Sequence, residues 1–326
     1  MVMLDPGGGA SVAGPPGAGS GQPSIRTTGL TKRFPRVTAL DQLTISVGGG
    51  VVGLVGANGA GKSTLIRILL GLLRPTSGGA EVLGHDVATS GPELRGLLGY
   101  MPEHDCLPPD TSATEFVVHM ARISGLAPAA ARERTADTLR HVGLYEERYR
   151  SIGGYSTGMR QRVKLAQALV HDPRLIFLDE PTNGLDPAGR EDMLGLIRRI
   201  GTDFGISVLV ASHLLGELER ICDHVVIIDA GRLLRSSAIA AYTRATAVLS
   251  IEVTDGGHAD GAEALGRRLT GEGVTVRRAG RLVEVPITGD GTYDSVRDAA
   301  AELGIGLVRM QQRRHRIEEV FTDAGT

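Results

Sequence analysis

One loop constrains this chain more than any other feature in it: Gly56-Ala57-Asn58-Gly59-Ala60-Gly61-Lys62-Ser63-Thr64. The residues before it, Val51-Val52-Gly53-Leu54-Val55, are apolar on both faces and read as a strand buried in a parallel sheet. After it, Leu65, Ile66, Ile68, Leu69, Leu72 and Leu73 recur at helical spacing. Turning so abruptly from strand to helix needs glycine, which has no Cβ to clash. Backbone N–H groups then converge on one point, and the following helix aims the positive end of its dipole there. That arrangement binds phosphate. Lys62 would reach the β- and γ-phosphates of a nucleotide, and the Ser63 hydroxyl would hold Mg²⁺. The bland alternative is a glycine-rich turn. Lysine is scarce here, at Lys32, Lys62 and Lys164 alone among 35 basic residues, so its place in this loop carries weight.

Two further segments fit a phosphate site. Leu175-Ile176-Phe177-Leu178 reads as a second buried strand and ends in Asp179-Glu180. In a parallel sheet the strand ends are where ligands sit. Asp179 suits a place on Mg²⁺ through water, and Glu180 can polarise an attacking water. Read alone, the pair could simply cap a helix. Tyr155-Ser156-Thr157-Gly158-Met159-Arg160-Gln161-Arg162 opens a helical run at Val163–Val170. Ser156 reads as an ordinary N-cap, or as a hydroxyl beside helix N–H donors in a second phosphate site. A third strand, Val208–Ala211, ends in Ser212-His213, and a fourth spans Val225–Ile228.

Helical stretches between these strands give an α/β core with a parallel sheet. Ahead of it, β-like runs at Ile25–Phe34 and Leu43–Val47 suggest an antiparallel β subdomain, and Arg74-Pro75-Thr76-Ser77-Gly78-Gly79 reads as a turn. Helical patterns with breaks at Pro108-Pro109 and Pro128 indicate a helical insert over about 104–170. Residues 1–24 are Gly, Pro, Ala and Ser with few large side chains, a composition expected to stay disordered. The core would run over 25–240. Over 245–326 the pattern reads as strand 247–254, helix 259–271, strands 273–278 and 281–287, helix 291–303 and strand 305–311. That βαββαβ order suggests a small ferredoxin-like α+β module.

Bulk properties exclude several function classes. A net charge of −2 gives no bulk attraction to nucleic acid or anionic lipid. No apolar run reaches the ~18 residues of a membrane span, and no secretory signal is visible. Cys106 and Cys222 lack metal-ligand spacing and read as free thiols of a reducing compartment. The expectation is a cytoplasmic protein, held at a membrane only through a partner.

Together these segments resemble the ATP-binding subunit of ABC transporters over about residues 25–235. Gly56–Thr64 looks like the first Walker motif of that P-loop NTPase family, and Leu175–Glu180 like the second with its catalytic glutamate. Tyr155–Met159 is similar to the family signature, Gly184-Leu185-Asp186 to the D-loop, and His213 to the switch histidine. Phe34 stands where the family places an aromatic that stacks on adenine. The resemblance implies that two copies sandwich two ATP molecules. Each ATP would touch the phosphate loop of one copy and Ser156 and Gly158 of the other. His213 would hold the γ-phosphate and orient Glu180, and Asp186 would link the two sites.

Two positions depart from the family pattern. The signature has Thr157 and Met159 where Gly and Gln are usual, a form that looks like the branch exporting drugs, polysaccharide or ions. In Gly99-Tyr100-Met101-Pro102-Glu103, Glu103 stands where most relatives carry a Gln that touches Mg²⁺ and water. The segment Arg316-Ile317-Glu318-Glu319-Val320-Phe321 also looks like the end of that exporter branch, though by itself it reads as a short amphipathic helix. The resemblance thus implies an ATPase, with ATP and Mg²⁺, that powers export through a separate membrane permease. The alternative is a soluble relative acting on ribosomes or DNA. A single cassette, no heptad run and no net basic charge argue against that and against a nucleic-acid partner. An importer subunit fits the signature less well, and a small-molecule kinase leaves Ser156, Gly158 and His213 unexplained.

Overall fold

A computed structural model of the chain describes residues 23–239, 245–289 and 291–314. The Gly/Pro-rich tail, except Pro23 and Ser24, and the 316–321 segment lie outside the described residues. Ser24 already belongs to the fold, since its carbonyl accepts from the Leu83 N–H at 2.8 Å.

The chain divides into two compact units, residues 1–236 and 237–326. In the first, strands β1 (Ile25–Phe34), β2 (Val37–Val47), β4 (Ser77–Val82) and β5 (His85–Asp86) form an antiparallel sheet in the order β2-β1-β4-β5. Alternation sets its buried face: Leu43, Ile45 and Val47 point inward while Thr44 and Ser46 are exposed. Strands β3 (Val51–Val55), β6 (Leu98–Met101), β7 (Leu175–Asp179), β8 (Ser207–Ser212), β9 (His224–Asp229) and β10 (Arg232–Ala238) form the second sheet, in the order β10-β9-β3-β8-β7-β6. Its β9–β3, β3–β8, β8–β7 and β7–β6 pairs are parallel. β3 and β7 are buried along their whole length, as expected of strands covered on both faces.

Helix α1 (Lys62–Leu69) packs Leu65, Ile66, Ile68 and Leu69 into a core shared with both sheets. It is shorter than its apolar run suggests. The chain turns at Gly71, and Leu72 is exposed. Ser77-Gly78-Gly79, read as part of a turn, instead opens β4. Helix α2 (Gly91–Gly96) precedes β6. The insert contains α3 (Ala113–Ile123), α4 (Pro128–His141) and α5 (Thr157–Leu169). Ser112 and Glu115 form a reciprocal capping box at the start of α3, which buries Ala113, Val117 and Ala121 at a four-residue period. Pro128 is the first residue of α4, where its missing N–H costs nothing, so this apparent break is a beginning. Helices α6 (Pro187–Asp203) and α7 (Leu215–Ile221) follow β7 and β8.

The second unit contains β11 (Ala245–Val253), α8 (Gly261–Gly271), β12 (Arg277–Ala279), β13 (Leu282–Pro286), α9 (Gly291–Glu302) and β14 (Leu307–Arg314). Its sheet has the order β12-β13-β11-β14 with antiparallel pairs throughout. Leu249, Ile251, Val283 and Val285 from the sheet meet Leu265, Leu269, Val296 and Ala299 from the helices in a core of their own.

Candidate functional site

Strand order brings the site together. β8 lies between β3 and β7, so the three loops leaving their C-terminal ends are neighbours. The loop after β3 is Gly56–Gly61, β7 ends at Asp179 with Glu180 next, and β8 ends at Ser212 with His213 next. The phosphate loop folds on itself through the Ala60 N–H to Ala57 carbonyl bond of 3.0 Å. Gly61 sits at φ +105°, where a Cβ would lie 2.5 Å from the Ala39 carbonyl oxygen, and a Cβ on Gly56 would lie 2.5 Å from that of Ile228. No other residue type fits either place. Ala57, Asn58 and Gly59 face solvent, Gly56, Ala60, Gly61 and Lys62 are buried, and Ser63 and Thr64 are half-buried.

Lys62 folds back over its own loop. Its ammonium donates to the Gly56 carbonyl at 2.7 Å and pairs with Glu180 Oε1 at 3.4 Å. The other Glu180 oxygen lies 2.9 Å from His213 Nδ1. Three residues from three loops are thereby joined into one chain of contacts. Glu180 is held at φ +50°, a left-handed conformation that costs a branched or long side chain roughly 1 kcal/mol. Its N–H donates to the Ala211 carbonyl at 2.9 Å, which fixes that geometry. Backbone strain of this kind is found where a side chain must be aimed.

Asp179 is buried and accepts a hydrogen bond from Ser63. Burial pushes its carboxyl above the ordinary carboxylate range; the Ser63 bond opposes this, while the charges of Glu103 and Glu180 add to it. Its Oδ1 is buried without a hydrogen-bond partner. An ionisable oxygen left so, beside a serine hydroxyl, fits a divalent cation. Among the described residues no group of three or more His, Cys, Asp or Glu is arranged to hold a metal ion.

Other expected site residues stand apart from this cluster. Ser156 caps α5, its Oγ accepting from the Met159 N–H at 3.2 Å, and is exposed, with Gly158 half-exposed two residues on. Asp186 caps α6 through the Gly189 N–H at 3.1 Å and is also exposed. In a single copy both serve as helix N-caps, the role that the sequence by itself suggests for Ser156. The two segments do touch: Gln161 Nε2 donates to the Asn183 carbonyl at 3.1 Å, tying α5 to the loop before Asp186. Phe34 ends β1 with 41% of its surface exposed, and the Lys32 ammonium lies 5.2 Å from its ring centroid. The Glu103 side chain is half-exposed, and its carbonyl accepts from Lys164 Nζ at 2.8 Å. That lysine, and Arg160 on the same helix, went unread in the sequence. The signal available was the scarcity of lysine, since Lys164 is one of three.

Comparison with known proteins agrees with this geometry. The family model described as ABC transporter matches residues 40–183. The bacitracin transport ATP-binding protein BcrA of Bacillus licheniformis is 40% identical over 211 residues, covering 64% of this chain and 68% of that protein. The daunorubicin resistance ATP-binding protein DrrA3 of Streptomyces coeruleorubidus is 34% identical over 302 residues, covering 91% of this chain and 94% of the relative. Among solved structures, cbiO1 from Clostridium perfringens, part of the ABC transporter complex cbiONQ, superposes with a TM-score of 0.63 at 25% identity, over 68% of this chain and 90% of its own. With one of these likenesses spanning nearly a whole relative, the chain belongs to the ABC transporter family as one of its ATP-binding, ATP-hydrolysing subunits.

Proposed function

We propose that the chain powers export of a substrate through a separate membrane permease, and that it does so as a pair of copies holding ATP between them. The observation that carries the hydrolytic part is the Lys62–Glu180–His213 contact chain at the ends of β3, β7 and β8. Without nucleotide, Glu180 neutralises the Lys62 ammonium. ATP phosphates entering the loop take over Lys62 and free Glu180 Oε1 to accept a proton from the attacking water. His213 holds the other oxygen and so aims the carboxylate. Ser63, Asp179 and Glu103 are the residues suited to Mg²⁺, which when bound would neutralise phosphate charge. Gly56, Ala57, Asn58, Gly59, Ala60, Gly61 and Thr64 supply the rest of the phosphate cradle, and Phe34 a face for adenine.

Exposure of Ser156, Gly158 and Asp186 supports the dimer reading. Ser156 and Gly158, the groups expected on the ATP held by the other copy, lie outside the cluster formed by one chain, at a surface that a second copy can reach. Among the described residues no helix is long and apolar enough to cross a membrane. The permease in this reading is therefore another chain, and the subunit would sit against its cytoplasmic face. Transport and drug resistance, named for the two relatives above, favour export over action on ribosomes or DNA. The test is to isolate the membrane protein that co-purifies with this chain and measure ATP hydrolysis in liposomes with candidate cargoes. A co-purifying permease and cargo-stimulated turnover are expected. Recovery with ribosomes in a salt-sensitive manner, with no membrane partner, would overturn the export reading.

A further inference from the structure

Lys164 is 2% exposed, in the middle of α5. A buried ammonium is retained only where it has work and partners, because desolvating a charge is costly. Its bond of 2.8 Å runs to the backbone carbonyl of Glu103, in the loop that leaves β6. One helical turn earlier on the same face, Arg160 pairs with Asp105 of the same loop, Nε to Oδ2 at 3.4 Å. Arg160 also donates to the Tyr155 carbonyl at 2.6 Å and reaches the Thr157 hydroxyl at 3.3 Å. Two cations four residues apart therefore grip residues 103–105 from one side, and the first of them also grips the segment that opens α5. The sheet brings the loop this close to α5. Gly99 of β6 has no room for a Cβ, which would lie 2.0 Å from the Ala168 carbonyl oxygen, so strand and helix touch directly.

We propose that Lys164 and Arg160 are positioning residues for hydrolysis: they fix the backbone of Glu103–Asp105 and thereby hold the Glu103 carboxylate in place. The assignment rests on the reading of Glu103 as a member of the ATP site. Neither cation touches the phosphate loop, so the two should govern turnover and leave nucleotide binding alone. Because Ser156 caps α5, the same two contacts join what a chain offers its own ATP to what it offers its partner's.

The test compares steady-state hydrolysis by the purified full-length chain and its variants. Lys164→Met should lower kcat about tenfold with KM for ATP within about twofold of the parent, the pattern of a lost transition-state interaction. Lys164→Arg, which keeps the charge and a donor, should recover most of that loss. Asp105→Asn removes the more exposed contact alone, and Arg160→Met removes it together with the bonds to Tyr155 and Thr157; each should lower kcat about two- to threefold, the first with no change in melting temperature. These two carry the test if Lys164→Met does not fold, and unchanged kcat in both would overturn the proposal. In a Glu103→Ala chain, adding Lys164→Met should cost less than about twofold further, because the lysine acts through that residue. A full tenfold further loss there, or a rise in KM with kcat unchanged, would overturn the proposal and leave the site reading intact. Unchanged kcat in Glu103→Ala alone would remove Glu103 from the site and the proposal with it.

Discussion

Glu180→Gln keeps the shape of the side chain and removes its charge, so its consequences can be worked through from the contacts. In turnover, the variant lacks the carboxylate that takes the proton from water. General bases contribute about 10²–10⁴-fold, so kcat should fall by about that factor, on the order of 3–5 kcal/mol. In the nucleotide-free chain the effect falls on Lys62. Its buried ammonium keeps the Gly56 carbonyl at 2.7 Å and a longer contact of 3.4 Å to the Ala57 carbonyl, but loses the carboxylate at 3.4 Å. Loss of one charged partner with the other contacts retained costs about 1.5–3 kcal/mol. That should lower the melting temperature of the nucleotide-free protein by about 3–12 °C. ATP replaces the missing negative charge, so the same energy should return as affinity, with Kd for MgATP tighter by about 10–100-fold. Phosphate release, thermal unfolding with and without ATP, and calorimetric titration read the three quantities. Turnover above a tenth of the parent would refute the base assignment. Unchanged melting temperature together with unchanged Kd would refute the argument that Glu180 neutralises Lys62 in the empty site.

Glu103→Gln restores the residue usual at this position in the family and keeps an oxygen for Mg²⁺ and water. Its turnover should stay within about tenfold of the parent, and a larger loss, above about 1.4 kcal/mol, would mean that the charge itself matters. Asp179→Asn should abolish hydrolysis yet stabilise the nucleotide-free chain. Burial raises the folded pKa of Asp179, so the stability this group contributes is complete below its unfolded pKa and is lost as pH rises through the folded value. The variant should therefore melt higher at pH 8 than the parent, with the gap closing in acid; a lower melting point at pH 8 would contradict the sign. Burial pushes the Cys222 thiol up to about 12, while Cys106 is exposed. A thiol reagent at pH 8 should thus label Cys106 alone in the native chain and both cysteines in denaturant, and equal native labelling would contradict the packing of α7 against the sheet.

Much of the candidate site is legible because it lies at the ends of strongly apolar strands. β3, β7 and β8 are continuous buried runs, and each is followed directly by the residues of interest. What the sequence could not show was their order across the sheet. That β8 lies between β3 and β7 is what joins Lys62, Glu180 and His213, and lateral order leaves no trace in local periodicity. Short elements were lost for a different reason. β4 opens on Ser77-Gly78-Gly79, where composition argues for a turn and sheet pairing decides for a strand, and β6, with four residues including Gly99, is too short to leave a periodic pattern. Helix α1 was read past its end because Leu72 and Leu73 continue its apolar spacing, whereas the turn at Gly71 stops it. The rarity of lysine marks Lys164 in the sequence, but not where its side chain lies. Inside an amphipathic helix a lysine normally reads as a solvated face, and only the neighbouring loop shows that this one points inward.

In the proposed dimer, one chain holds only half of each ATP site. Two variants, Ser156→Arg and Lys62→Ala, separate the halves when ATP hydrolysis is measured for each alone and then for an equal mixture. Alone, each should be inactive, the first for want of a partner face and the second for want of a phosphate grip. Mixed, they should form some dimers in which the intact phosphate loop of one copy meets the intact Ser156 face of the other, and hydrolysis should return. Parent-level hydrolysis by Ser156→Arg alone, or a mixture that dimerises with ATP and stays inactive, would contradict a site shared between two copies.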